Sequence, residues 1–300
     1  MKILLVAKGD WSGAGFALYK AINDTTEHEA HIISFSQPGD YLQYPFDILD
    51  PSFDEIRKWV KWAEILNIYD NAEDLIPIDC PIKPVIMGYH GSWYRNDPQK
   101  ANLMAEKRGY LQTCLTQDLS LFGPIWIGRA IEDLSAMHSP DPNDFIVAHA
   151  PTWRPYKGTD FIIEALEDMP GIKLDIIEGV SNKECLKRKA KAHVLIDTIS
   201  PPGVGAGFGT NALEAWSLGM PVISQAPPGV EGRIKELAGQ IPYCSPFGDM
   251  LLRNLVEKLR NDREFYARWR DIGRQYVREF HAPQVIAQKF IDLCEQFLGL

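Results

Sequence analysis

Two stretches of this 300-residue chain hold residue types that could handle a phosphorylated small molecule. In the first, an apolar run at 145–149 reads as a buried strand and 158–167 as a helix, with Arg154 and Lys157 in the turn between them. A guanidinium can grip two oxyanion oxygens at once, and an ammonium adds a point charge. A helix N-terminus beside them adds N–H donors and the positive end of its dipole. Together these make a diphosphate clamp, although the two cations alone read equally well as loop surface. In the second stretch Gly203, Gly205, Gly207 and Gly209 alternate ahead of a helix expected at 210–218, which carries Glu214. Such glycines let the backbone turn sharply and let an anion approach its amides. The spacing is not the dinucleotide fingerprint, and no Gly-Lys-Ser/Thr of a P-loop follows.

The elements that must position these residues alternate along the chain. Strands are expected at 2–8, 31–35, 64–68 and 84–89, with shorter ones at 111–115 and 125–127, and helices at 16–23 and 54–62. The second half restarts with strands at 145–149, 173–177, 194–197 and 221–224 and helices at 158–167, 182–191, 210–218 and 230–237. Beyond Pro246 the pattern is helical almost to the end, broken near Asn261 and at His281-Ala282-Pro283. Alternation of this kind predicts α/β architecture with two parallel, doubly wound sheets. The turn formers at 139–144 mark a linker, so the domains are expected at 1–138 and 139–282, followed by a helix at 283–300. Open parallel sheets bind ligands beyond the carboxyl ends of their strands. Both stretches fall there, as do Asp10, Trp11, the Gly13-Ala14-Gly15 turn and His90-Gly91.

Taken in combination, Lys157-Gly158, Gly207-Phe208-Gly209, Leu213-Glu214-Ala215 and Gly219-Met220-Pro221-Val222-Ile223 resemble the C-terminal domain of the retaining group 1 glycosyltransferases. The order and spacing are similar over about residues 144–224. The resemblance implies the GT-B fold: two Rossmann-like domains facing a central cleft, with the final helix packing back on the first. It implies transfer of a hexose or pentose from a nucleoside-diphosphate sugar, with retention, to an acceptor held by the N-terminal domain. Arg154 and Lys157 would neutralise the diphosphate as it leaves. The loop of Gly207, Phe208, Gly209 and Thr210 would hold the same phosphates, and Glu214 would accept hydrogen bonds from the ribose hydroxyls. His90 would bond the transferred sugar, and Gly13 and Gly15 would face the donor. Two departures bear on this. Ala206 stands where many members have a glutamate that contacts the sugar, and the first basic position of the family pattern is Thr152 here, with Arg154 closer to Lys157. The stretch therefore speaks for the nucleoside diphosphate more than for the sugar. Read alone, His90 is equally a hydrogen-bonded histidine at a strand end. Asp10 and Trp11 are acceptor contacts or turn residues, and His149 lies close enough to the clamp to join it.

Composition narrows the partners. With a net charge of −9, no global field attracts polyanions, so nucleic acid is possible as acceptor but not favoured. Lys183, Lys187, Arg188, Lys189 and Lys191 read as a solvated helix face. No run approaches the ~20 apolar residues of a membrane span. Residues 1–7 read as a first strand rather than a signal peptide, so a cytoplasmic protein is expected. The five scattered cysteines are expected to be free thiols. No Asp-x-Asp occurs, which suits a metal-independent reaction with no cofactor beyond the nucleotide sugar as co-substrate. Three alternatives share the architecture. One is a nucleotide-sugar epimerase. Another is a polyol-phosphate transferase, part of which Ala150-Pro151-Thr152-Trp153-Arg154 resembles, and the third is a nucleotide-binding protein that has lost catalysis. On the sequence alone, Lys157→Ala is expected to weaken diphosphate binding far more than stability.

Overall fold

A computed structural model describes every residue except 11, 37–43, 200–206 and 247–250. Trp11, Gly203, Gly205 and Ala206 thus lie outside the described residues. The chain opens with β1 (Lys2–Ala7), α1 (Ala14–Thr25), β2 (Glu29–Ser34), β3 (Ile48–Leu49) and α2 (Phe53–Trp62). Next come β4 (Ile65–Tyr69), β5 (Val85–Tyr89), α3 (Ser92–Asn96), α4 (Pro98–Arg108), β6 (Leu111–Cys114) and β7 (Ile125–Trp126). The second half runs β8 (Phe145–His149), α5 (Arg154–Lys157), α6 (Thr159–Leu166), β9 (Ile172–Ile176), α7 (Asn182–Lys189) and β10 (Val194–Thr198). It ends with α8 (Thr210–Leu218), β11 (Val222–Ser224), α9 (Pro228–Ala238), α10 (Leu252–Asn261), α11 (Arg263–Phe280) and α12 (Pro283–Leu298). These elements divide into two compact units, Met1–Ala130 with His281–Leu300, and Ile131–Phe280.

The first unit is a parallel sheet in the order β3-β2-β1-β4-β5-β6-β7. Helices cover such a sheet on both faces, so its strands read as continuous apolar runs rather than alternating ones. β1 shows this, with every residue after Lys2 buried. The strand order reverses between β1 and β4, and there the loops after the two strands diverge and leave room for a ligand. The core joins Ile3, Leu5, Ile22 and Ile32 to Ile286 and Phe290 of α12, which packs against α1. α4 has only Ala101 and Ala105 buried, too weak an apolar stripe for its sequence to announce a helix.

The second unit is a parallel sheet in the order β11-β10-β8-β9. α8 packs with α11, and α6 with α10. Gly273 of α11 lets the first pair approach, since a Cβ there would lie 2.0 Å from Trp216 Cδ1. The division falls at Ala130/Ile131, ahead of the turn formers at 139–144. The intervening residues are tied into the second unit: Ser217 Oγ donates to Glu132 O and accepts from Leu134 N, and Ser139 N donates to Ala190 O. No helix among the described residues is long and apolar enough to cross a membrane, and the five cysteines are free.

His281 begins the last segment of the first unit. It is buried, its Nδ1 lies 2.8 Å from the Arg129 carbonyl, and burial pushes its pKa down from 6.5 to about 4. The unfolded chain therefore binds more protons between those two values. The stability that neutral His281 contributes is present above 6.5 and is lost as pH falls towards 4. From pH 7 to pH 5 the wild type should lose about 2 kcal/mol more than His281→Asn, which keeps a donor for the carbonyl but does not titrate. Urea unfolding at the two pH values checks this, and equal losses would remove His281 from the pH dependence.

Candidate functional site

In the second unit the clamp begins where β8 ends. The chain leaves the sheet through Ala150-Pro151, makes the single turn of α5, and reaches Gly158 at φ 69° before α6 starts at Thr159. A Cβ at Gly158 would lie 1.8 Å from the Ile199 carbonyl oxygen, so the turn is pressed against the end of β10, in a left-handed conformation that favours glycine. This contact brings Lys157 over β10, where Nζ donates to Asp197 Oδ1 and Thr198 Oγ1, both at 2.8 Å. Asp197 is buried, and its Oδ2 accepts from the Gly209 N–H at 2.9 Å. One carboxylate thereby fastens the loop before α8 to the turn after β8.

Arg154 is set differently. Its half-exposed guanidinium grips Glu178, which follows β9, with Nε 2.9 Å from Oε1 and Nη2 2.6 Å from Oε2. That cation holds the Glu178 carboxyl below the usual carboxylate range. Asp160 stands 3.9 Å from the same guanidinium. Arg154, Gly158, Thr159, Phe161, Ile199 and Gln225 line an open cavity of about 350 Å³.

His149 is buried beneath the clamp. Its Nδ1 lies 2.8 Å from the Ile196 carbonyl, so it donates there, which leaves Nε2 to accept from Thr159 Oγ1 at 2.9 Å. Burial lowers its pKa. The imidazole thereby holds the first residue of α6. Phe208 is likewise turned inward, its ring packed on Trp216, Tyr243 and Tyr276. It anchors the Gly207–Gly209 turn in the core. Thr210 opens α8, and Glu214 lies in that helix with 6% exposure.

Glu214 is held by two residues of α7. Asn182 Nδ2 donates to Oε1 at 3.3 Å, and Lys189 Nζ bonds Oε2. Lys189 also donates to Asn211 Oδ1 at 2.6 Å, and Asn211 Nδ2 donates to Ala150 O at 2.6 Å. This corrects the reading of residues 183–191 as a solvated face. Lys183, Lys187 and Lys191 are exposed, but Arg188 bonds Asp175 and the Ile176 carbonyl, and Lys189 is wholly buried. A signal was present: Lys189 stands four residues after Cys185, which packs on the core, and so shares its helix face.

In the first unit the sequence candidates stand after β1 and β5. Gly13 caps α1 at φ 65°, with its N–H on Asp10 O, and Gly15 lies in the first turn of the helix. Asp10 is buried; Oδ2 accepts from Phe16 N at 2.7 Å, and among the described residues Oδ1 has no hydrogen-bond partner. His90 N–H donates to Asp70 Oδ1 at 3.1 Å, and its ring lies 4.2 Å from that of Tyr69. Its Nδ1 is 3.8 Å from Asp70 Oδ2, while the buried Nε2 has no hydrogen-bond partner among the described residues. Burial raises the Asp70 pKa, against the pull of His90. The structure thus gathers His90, Asp70 and Tyr69 at one set of strand ends, and Lys157, Asp197 and Gly209 at another.

Solved structures share this arrangement of elements. α-Glucosyltransferase (AGT) in complex with UDP matches with a TM-score of 0.73 at 12% identity, over 98% of this chain and 99% of that one. The same enzyme in complex with UDP and a 13-mer DNA containing an HMU base matches with a TM-score of 0.70 at 12% identity, over 98% and 99%. HepE from Anabaena in complex with UDP-glucose matches with a TM-score of 0.69 at 14% identity, over 99% and 100%. No protein-family profile and no curated protein sequence matches the chain. At these identities the likeness establishes architecture, and the chain has the GT-B fold of these glycosyltransferases.

The Lys157–Asp197 pair changes what Lys157→Ala should do. Without the ammonium, Asp197 is a buried carboxylate left with the Gly209 N–H, so stability falls along with binding, by about 1–3 kcal/mol. Lys157→Ala with Asp197→Asn should regain most of that stability. Urea midpoints of the three proteins check it, and equal midpoints for wild type and Lys157→Ala would mean that Asp197 does not depend on Lys157.

Proposed function

We propose that the protein moves a sugar, a hexose or a pentose, from a nucleoside-diphosphate sugar to an acceptor hydroxyl. The observation that carries the reading is the Lys157 ammonium, held by Asp197 and Thr198 beside the Gly209 backbone at the start of α8. It stands at the carboxyl ends of a parallel sheet, where α/β folds bind their ligands. The N-termini of α6 and α8 add their dipoles to the same end of the sheet. A full-length fold shared with solved structures holding UDP or UDP-glucose supports the same assignment.

In this reading Lys157 supplies a fixed charge. Arg154 exchanges Glu178 for phosphate oxygens, an exchange that costs little because exposed ion pairs contribute only about 0–1 kcal/mol. The two cations offset the charge that grows on the diphosphate as its bond to the anomeric carbon breaks. The Gly209 N–H is committed to Asp197, so the backbone contribution passes to the start of α8. Glu214 accepts the ribose hydroxyls. In the first unit His90 Nε2, without a hydrogen-bond partner among the described residues, is suited to bonding a sugar hydroxyl. With the diphosphate charge met by side chains, the reaction runs without a metal, and retention is the outcome that the sequence resemblance implies. One structural neighbour is seen with DNA. This chain's net charge of −9 gives no help in neutralising phosphates, so an acceptor that is not a polyanion, in a cytoplasmic setting, fits better.

Calorimetric titration with UDP, GDP and ADP, followed by incubation with the matching nucleotide sugars, tests the proposal. Saturable binding of one nucleoside diphosphate and slow release of free sugar from its donor are expected. A rearranged nucleotide sugar would instead indicate an epimerase, and no binding by any nucleotide would end the reading.

A further inference from the structure

We infer that Lys189 is a positioning residue of the nucleotide site, holding Glu214 ionised and oriented for the ribose diol of the donor. The inference rests on the proposed nucleoside-diphosphate site in the second unit. Lys189 is the last residue of α7, and its side chain has no solvent exposure. Burying an ammonium costs several kcal/mol, and exchanging a buried ion pair for apolar residues of similar volume is often neutral or stabilising. Packing alone would therefore be served as well by a methionine. What the lysine adds is a charge at one place.

Side chains on a helix tilt towards its N-terminus. Lys189 accordingly reaches back along α7 to the Glu214 carboxylate, which Asn182, the first residue of α7, bonds as well. Burial disfavours the charged form of a carboxylate, and a cation facing it restores that form. Burial works most strongly against the Lys189 ammonium, but Glu214, joined by the neighbouring Cys185, holds the lysine above its usual pKa. The distinction matters to a ribose. A vicinal diol offers two O–H donors, and only an ionised carboxylate accepts both as charge-assisted bonds. Lys189 also bonds Asn211, and Asn211 bonds the Ala150 carbonyl at the root of the Arg154–Lys157 turn. The element that would read the ribose and the turn that would read the diphosphate thus share one lysine.

The test measures affinities for UDP, 2′,3′-dideoxy-UDP and inorganic pyrophosphate on wild type, Lys189→Met and Lys189→Met/Glu214→Gln. The double variant leaves no orphaned charge, so it remains informative if the single one does not fold. Wild type should prefer UDP to the dideoxy analogue by about tenfold or more at every pH from 6 to 9. Lys189→Met should lose most of that preference at neutral pH, regain it as pH rises and Glu214 ionises, and bind pyrophosphate as before. The double variant should show no preference at any pH. If Lys189→Met keeps the preference at neutral pH, or loses pyrophosphate and UDP in equal proportion, or if the double variant retains the preference, Lys189 does not position Glu214. A wild type that binds neither UDP nor pyrophosphate overturns instead the nucleotide reading on which the inference stands.

Discussion

Asp197 sits at the end of β10, between β11 and β8, and gives one oxygen to Lys157 and the other to the Gly209 N–H. A carboxylate so buried costs free energy unless each oxygen keeps a strong partner. The turn after β8 and the loop before α8 are consequently not free to move apart. Their arrangement is settled before any ligand arrives, and an anion meeting Lys157 finds the ammonium already in place. In the reaction proposed above, charge fixed in this way would not have to reorganise as the bond breaks.

The two clamp cations follow opposite rules. Lys157 is held from within by Asp197 and Thr198, whereas Arg154 is held in solvent by Glu178. The first arrangement fixes position, and the second stores a guanidinium close by at little energetic cost. Lys189 repeats the first arrangement deeper in the same unit, with Glu214 in the place of Asp197. Two lysine–carboxylate pairs, the first partly and the second fully buried, therefore lie between the strand ends and the covering helices, and each ties together residues far apart in sequence.

That distance explains what the sequence disclosed and what it withheld. Parallel strands buried on both faces are apolar runs, so β1, β4, β5, β8 and β10 were visible within a residue or two. β3 has two residues and α4 a faint apolar stripe, and neither leaves a pattern long enough to read. Arg154 and Lys157 were legible as cations beside a helix start, but their carboxylate partners were not. Asp197 and Glu178 reach them only after the chain has crossed the sheet. Lys189 looked like one more charge on a basic helix because its partner sits on another helix. Phe208, read as part of a phosphate-binding loop, spends its side chain on an aromatic cluster, a use that composition cannot distinguish.

The contact between Gly158 and the Ile199 carbonyl has an evolutionary reading. With no room for even a methyl group, the two segments can exchange residues on their outer faces but cannot change their spacing independently. A descendant or an engineered variant would have to inherit the turn at 149–159 and the end of β10 at 196–199 together, as a single transplantable cassette. Recombination breakpoints between 160 and 195 would separate its halves and should be under-represented among functional chimaeras of this fold.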